Sequence, residues 1–325
     1  MTKLKLLAVA AVGAATMAVA TAGPARSAEL ILRGASCFPI GSPPGLGFEK
    51  YVKDVNAAGE GVVQIKLLGG APAIGSPFTM TRRMSRGTYD IIGCPDAYFG
   101  NVVPECEALR LSDYKPSEMR KNGAYAYMQK IFNEKNIYFL GRQRSDGPFF
   151  LWLSKPIEKP DLTGLHLRVS PVYTPFFKSL GATVQRSNIA QIYTYMENGT
   201  VQGYGWPAIG WVPPWIKVTK YRVEPGFYIA ALQLMVNLEK WNSLTAEQKA
   251  VLQKVALEHE RANEDHEGRL AKAKAWMASK GMKTIKFTGA DAEKWTKAAK
   301  DTGWAQLIAR SPKHGPVLQR MMRKN

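Results

Sequence analysis

Strand-like runs and helix-like periods alternate from residue 29 to about residue 206, and this alternation narrows the available folds more than any other feature of the chain. Glu29 to Gly34 (ELILRG) reads as a strand, and Phe48 to Val55 carries apolar residues at helical spacing before the stops Gly59 and Gly61. Val62 to Leu68 is a second strand, Pro77 to Arg86 a helix, and Tyr89 to Ile92 a short buried strand. Ser117 to Asn133 reads as another helix, followed by the strand Ile137 to Leu140. The second half repeats the pattern, with Phe149 to Leu153, Leu165 to Val169 and Val201 to Trp206 strand-like and Ala190 to Asn198 helical. Strands separated by helices predict βαβ units and an α/β fold around a mainly parallel sheet. At 325 residues the chain exceeds the usual size of one hydrophobic core, so two lobes are expected.

The longest regular element opens at Thr245-Ala-Glu-Gln248, a capping box whose hydroxyl and amide satisfy free N–H groups reciprocally. It closes at Gly281, with no proline between and only Gly268 to interrupt it. A single helix there is about 50 Å long, more than one small lobe needs, and predicts a brace across both; two helices broken near Gly268 are the alternative.

Lys3 and Lys5 precede an apolar run from Leu6 to Ala20 and then small residues, the layout of a secretory signal peptide over residues 1–28, cut after Ala22 or Ala28. The run is shorter than the roughly 20 residues of a membrane span. The expected product is exported to the periplasm, and cutting after Ala28 lowers the formal charge from +18 to +15. No basic block with interleaved aromatics accompanies that charge, which argues against nucleic acid as the partner. Cys37, Cys94 and Cys106 contain no CxxC pair for zinc or dithiol chemistry.

Catalytic signatures are missing. There is no GxSxG elbow, phosphate loop or HExxH pair, and Lys50 stands where a dinucleotide motif starting at Gly45-Leu-Gly47 needs its third glycine. His259 and His266 lie among Glu258, Glu260, Glu264, Asp265, Arg261 and Arg269, the pattern of a solvated helix face, and His166 and His314 stand apart. No catalytic residue, metal site or cofactor is therefore expected. Two features point to binding. The stretch Gly203 to Trp215 holds three of the eight tryptophans, and Trp206 stands at a strand end, where open α/β sheets place their ligand crevice. Arg168 ends the apolar strand of Gly164-Leu-His-Leu-Arg-Val169, where its planar guanidinium suits a carboxylate; a structural salt bridge to an internal acid is the alternative.

Four stretches together resemble the DctP-type substrate-binding proteins of TRAP transporters, the tripartite ATP-independent periplasmic uptake systems. They are Phe48 to Val55 with Val63-Gln-Ile-Lys66; Gly70 to Gly75 with Met84-Ser-Arg-Gly-Thr-Tyr-Asp-Ile91; Lys155-Pro-Ile-Glu-Lys-Pro-Asp-Leu-Thr-Gly-Leu-His-Leu-Arg-Val169; and Leu180-Gly-Ala182 leading to Ile192-Tyr-Thr-Tyr-Met-Glu-Asn-Gly-Thr-Val-Gln-Gly203. Asn237 to Trp241, Ser243-Leu-Thr245 and the long helix also match. The resemblance implies two α/β lobes with a ligand cleft between them, crossing strands and a long bracing helix. The lobes implied are residues 29–144 plus about 231–262, and 145–230 plus about 263–325. It implies that Arg168 clamps an organic carboxylate, that Trp206 lines the cavity, and that the protein is not an enzyme. The implied partner is a TRAP membrane permease, with a sensory protein presenting its ligand to a membrane receptor as the alternative. A monomer without cofactor is expected.

Departures from the family pattern bear on the ligand. Where many relatives read Val-Asp-Gly-x-Glu, this chain reads Val201-Gln-Gly-Tyr-Gly205, so the acid that helps some members hold a cation is absent. Pro148 replaces an arginine found in binders of acidic sugars, and Arg144 is the nearest cation. With Tyr204, Phe38 and Tyr98 near predicted strand ends, the expected ligand is an apolar or aromatic monocarboxylate. Cys37 and Cys94 both follow short strands and form the expected disulfide, with Cys94–Cys106 the rival pair.

Overall fold

The computed structural model describes residues 29–324, and the signal peptide expected over residues 1–28 lies outside them. Nine strands form one mixed sheet: β1 (Leu30–Ser36), β2 (Val63–Gly70), β3 (Ile91–Pro95), β4 (Ile137–Leu153), β5 (His166–Val169), β6 (Thr183–Arg186), β7 (Gly203–Pro207), β8 (Tyr221–Asn237) and β9 (Lys283–Lys286). Their order is β2-β1-β3-β8-β4-β7-β5-β6, with β9 paired to β8. The organising feature is the antiparallel ribbon of β4 and β8, 17 residues each. β3 pairs with Leu232–Val236 near one end of β8, and β1 and β2 continue from it in parallel. β7 pairs with Phe149–Leu153 at the other end of β4, and β5 and β6 continue on that side. β4 and β8 are thus crossing strands that join two halves of the sheet.

The βαβ reading anticipates the outer halves except β6, and does not anticipate the ribbon, so the mainly parallel sheet is corrected to a mixed one. Ile137–Leu140 and Phe149–Leu153 are two ends of one strand. β8 went unread because Pro225-Gly226 punctuates it, and because its far half is buried on both faces and shows no alternation. Register shifts crowd the ribbon between Phe139 and Leu151, with Gly141, Gly147 and Tyr228 at positive φ, so the ribbon bends there. The lobe limits implied by the sequence, at 144/145 and 230/231, fall across from one another in this bend, where Ser145 pairs with Ala231.

Helices cover the sheet where their apolar faces demand it. Leu46–Ala58 buries Phe48, Tyr51, Val52 and Val55 and stops at Gly59. Its close approach requires glycine in β3, because a Cβ on Gly93 would lie 2.4 Å from the Phe48 ring. The helix expected over Ser117–Asn133 is two, Pro116–Lys121 and Ala124–Asn133, separated by Gly123 at φ 84°.

The long bracing helix is likewise two helices, Ala246–Asn263 and Glu267–Ser279. The Thr245 and Gln248 side chains bond reciprocally as the capping box requires. The break falls at Glu264–His266, just before Gly268, and local hydrogen bonds hold it open. The Glu264 carboxylate accepts from the Ser117 N–H, and Asp265 accepts from the Glu267 N–H, restarting the helix. Arg269 meanwhile donates to the Asn263 and Asp265 carbonyls freed by the break. Among the described residues no helix is long and apolar enough to cross a membrane.

Candidate functional site

The ends of β1, β3, β5 and β7 converge on the ribbon bend. They enclose a cavity of about 30 Å³ lined by Phe38, Asp96, Tyr98, Ser170 and Trp206, with Asp146, Phe149 and Ala230–Leu232 of the ribbon closing it. A crevice at the carboxyl ends of strands from two halves of a sheet is where α/β folds bind ligands. The volume holds about two water molecules, so the walls must part to admit anything larger. A groove of about 410 Å³ shares Ala97 and Tyr98 with this cavity and carries Arg186 on its wall.

Arg168 lies in β5, which ends at Val169, two residues before a turn of 3₁₀ helix. It is fully buried. Its Nε donates to Ser187 Oγ at 3.2 Å, Nη1 to the Tyr173 hydroxyl at 3.2 Å, and Nη2 to the Ser187 carbonyl at 2.5 Å. Tyr173 is itself oriented by donating to the Gly205 carbonyl at 2.7 Å, and the ring fills the space a side chain at 205 would take. No described carboxylate lies in salt-bridge range of Arg168, so the internal partner offered as the alternative is not there. Arg168 does not itself line the cavity; its guanidinium carbon sits 5.9 Å from the ring of Trp206, which does.

Trp206 lines the cavity, and its Nε1 donates to the Gly210 carbonyl at 3.2 Å. Phe38 meets it edge-on at 6.3 Å and Tyr98 at 5.6 Å, so the three rings form one wall. Tyr204 is not brought to the cavity. Its ring packs against Trp152 and Trp215, and its hydroxyl bonds Thr219 at 3.0 Å. Arg144 is also held back: it grips Asp146, with Nε 2.7 Å from Oδ1 and Nη2 donating to Oδ2 at 3.1 Å. Of that pair, Asp146 is the member that reaches the cavity wall.

Cys37 and Cys94 are joined, with Cα atoms 4.9 Å apart, and fix the loops that carry Phe38 and Asp96. Cys106 is a buried thiol pointing at the Asp96 carbonyl. Asp96, Ser170, Ser187 and Tyr173 were not singled out from sequence. Asp96 carried a signal, since an acid directly after an apolar strand is placed at the crevice by the fold. Burial pushes its carboxyl up to about 6, against the pull of Arg110 and Arg142. Burial likewise pushes the Tyr98 phenol up to about 12, with the Arg168 charge opposing.

A groove of about 380 Å³ beside Arg110, Arg142, Tyr228 and His266 is larger than the cavity. Its inner cations are engaged already: Arg142 donates to the Leu109 carbonyl at 2.6 Å, and Arg110 lies 3.1 Å from Glu107. Among the described residues no cluster of His, Cys, Asp and Glu has the geometry of a metal site.

The fold and this crevice define a protein that can enclose a small solute between two halves of a sheet. Residues 35–309 match the model for bacterial extracellular solute-binding protein family 7, the DctP family, and the chain belongs to that family. Its members are binding proteins of transport, not enzymes. The structure is similar to a TRAP periplasmic solute-binding protein from Desulfovibrio salexigens with bound orotic acid, at a TM-score of 0.79 and 20% identity, over 90% of this chain and 97% of that one. It is equally similar to DctP7, a Bordetella pertussis extracytoplasmic solute receptor binding pyroglutamic acid, at a TM-score of 0.79 and 16% identity, over 90% and 99% of the chains. A Sulfitobacter protein with bound β-D-galacturonate matches at a TM-score of 0.77 and 21% identity, over 90% and 99%. In sequence, 148 residues are 25% identical to a monocarboxylate 2-oxoacid-binding periplasmic protein of Nostoc, covering 42% of this chain and 39% of that protein.

Proposed function

We propose that this chain captures an organic monocarboxylate in the periplasm and delivers it to a TRAP membrane permease, with Arg168 as the carboxylate clamp. The observation that carries the reading is a fully buried guanidinium with no acid in range. Isolating such a charge from water costs several kcal/mol, and a ligand carboxylate held by parallel N–H bonds offsets that cost. Trp206, Phe38, Tyr98 and Phe149 supply flat apolar area for the body of the acid, which favours an apolar or aromatic one. Orotic acid, pyroglutamic acid and galacturonate in the similar structures all carry one carboxyl group. Closure of residues 29–144 plus about 231–262 onto 145–230 plus about 263–325, hinged at the ribbon bend, would enclose the ligand.

Thermal melting of the protein against aromatic, aliphatic and dicarboxylic acids tests this. A ligand at about 100 times its dissociation constant adds roughly 2.7 kcal/mol of stability. The expected result is a shift with one class of monocarboxylate that disappears in Arg168→Ala; no shift with any acid refutes the reading.

A further inference from the structure

We propose that Asp96 selects among carboxylates, so that the preferred ligands bear an N–H or O–H donor next to the acid group. The inference rests on the carboxylate clamp at Arg168 and adds the second half of the recognition. Asp96 opens the one-turn helix Asp96–Tyr98 directly after β3 and is 1% exposed. It lines the same cavity as Trp206, and neither of its carboxylate oxygens has a hydrogen-bond partner among the described residues. Of the cations nearest in the fold, Arg142 donates to the Leu109 carbonyl and Arg144 grips Asp146, while Arg110 meets Glu107 through Nη2 alone. Two more polar atoms on this wall, the Tyr98 hydroxyl and Ser170 Oγ, are likewise unpartnered. Above its raised value of about 6 the Asp96 carboxylate is unprotonated and only accepts hydrogen bonds, so at neutral pH its complement is a donor. Arg168 is not among the residues lining this space, but its guanidinium carbon lies 5.9 Å from the Trp206 ring that does, so a compact ligand admitted when the walls part meets the arginine and the acid together.

A 2-hydroxy acid or a ring N–H acid meets this demand, whereas a 2-oxo acid or a plain alkanoate leaves Asp96 desolvated and unpaired. Leaving a buried acceptor unmatched weakens binding by about 10- to 100-fold. The rival reading is structural: Arg110 is buried with Nε and Nη1 unpartnered, so Asp96 exists to neutralise it.

The test compares matched probes that differ only in the donor: lactate with propionate and pyruvate, and pyrrole-2-carboxylate with 2-furoate. Calorimetry on the wild type and Asp96→Asn gives affinities, and melting without ligand gives their stability. We expect the donor-bearing member of each set to bind about 10- to 100-fold tighter in the wild type, the gap to shrink in Asp96→Asn, and the unliganded variant to melt no lower than the wild type. Equal binding within the sets overturns the inference while leaving the clamp intact. A variant that melts well below the wild type with its selectivity unchanged assigns Asp96 to Arg110 and also overturns it. Binding of none of these acids nor of the wider panel removes the clamp and this inference together.

Discussion

Arg168→Met separates a binding arginine from a structural one. Methionine keeps most of the volume, and the exchange removes three donated hydrogen bonds, to Ser187 Oγ, the Ser187 carbonyl and the Tyr173 hydroxyl. Hydrogen bonds to a charged donor contribute about 1.5–3 kcal/mol each, but isolating the guanidinium costs several kcal/mol, so the two nearly cancel. The unliganded variant should stay within about 2 kcal/mol of the wild type, roughly 4 °C in melting temperature for a chain of this size. Ligand binding behaves differently, because the ligand carboxylate loses its partner in a dry site. That loss is about 3–5 kcal/mol, or roughly 100- to 5,000-fold in affinity. Melting curves without ligand, together with calorimetry on the acid that shifts the wild type most, give both numbers. A stability loss above about 4 kcal/mol without ligand, or affinity retained within tenfold, would show that Arg168 holds the lobe together and does not clamp.

Further outcomes follow from the same geometry. Trp206→Ala should weaken binding about 10- to 100-fold and also cost about 3–5 kcal/mol of unliganded stability, because the buried ring packs on Phe38 and Trp215; titration of the wild type should change tryptophan emission, since Trp206 lines the cavity. Replacing Cys37 and Cys94 with serine opens a loop of 57 residues and should cost about 4 kcal/mol, read as a lower urea midpoint with a steeper slope, because the denatured chain without the crosslink exposes more surface. Burial opposes ionisation of Asp90, but hydrogen bonds and charge from Arg33 outweigh it and hold the carboxyl below its ordinary value. A depressed carboxyl contributes stability above the unfolded value near pH 4. That contribution disappears as pH falls through the folded value. Arg33 is half exposed, so the contribution is modest; Arg33→Gln should flatten the fall of the urea midpoint below about pH 4.

Most strands of the outer halves are legible because they are short, apolar and bounded by turn residues, as Val63–Gly70 between Gly61 and Pro72 illustrates; Thr183–Arg186 is not, because Thr-Val-Gln-Arg offers one apolar side chain and lies at the sheet edge. The ribbon was not, for a physical reason. β4 runs through Gly141-Arg-Gln-Arg-Ser-Asp-Gly-Pro148, a composition that reads as a loop, because here strand side chains line a bend and a cavity instead of an apolar core. The break between the two long helices was hidden for a related reason: Asp265 and Arg269 are ordinary helix-surface residues until a neighbouring segment, here Ser117, offers their surroundings other hydrogen bonds. At the site, Arg168 and Trp206 stood out as costly residues at strand ends. Tyr204 looked equivalent to Trp206 two residues on, yet Trp152 and Trp215 claim its ring, a contact across the fold that local spacing does not encode. Ser187 and Tyr173 were invisible because each serves the site only by holding Arg168.

With the ribbon bend as the hinge of the proposed closure, recognition and closure share residues. Asp146 and Ala230–Leu232 line the cavity while belonging to the bend in which Ser145 pairs with Ala231. A ligand that bridges Arg168 in β5 to Asp96 after β3 therefore contacts both halves of the sheet and the strands between them. Its differential affinity for the closed arrangement is the sum of contacts that neither half makes alone, and that difference is all a ligand has to shift the two states. An acid that satisfies Arg168 but offers nothing to Asp96 binds one half and leaves closure nearly unpaid. On this reasoning, small-angle scattering should show compaction with pyrrole-2-carboxylate and much less with 2-furoate at equal occupancy of the site. Equal compaction with both would place the closing contacts on the aromatic wall instead.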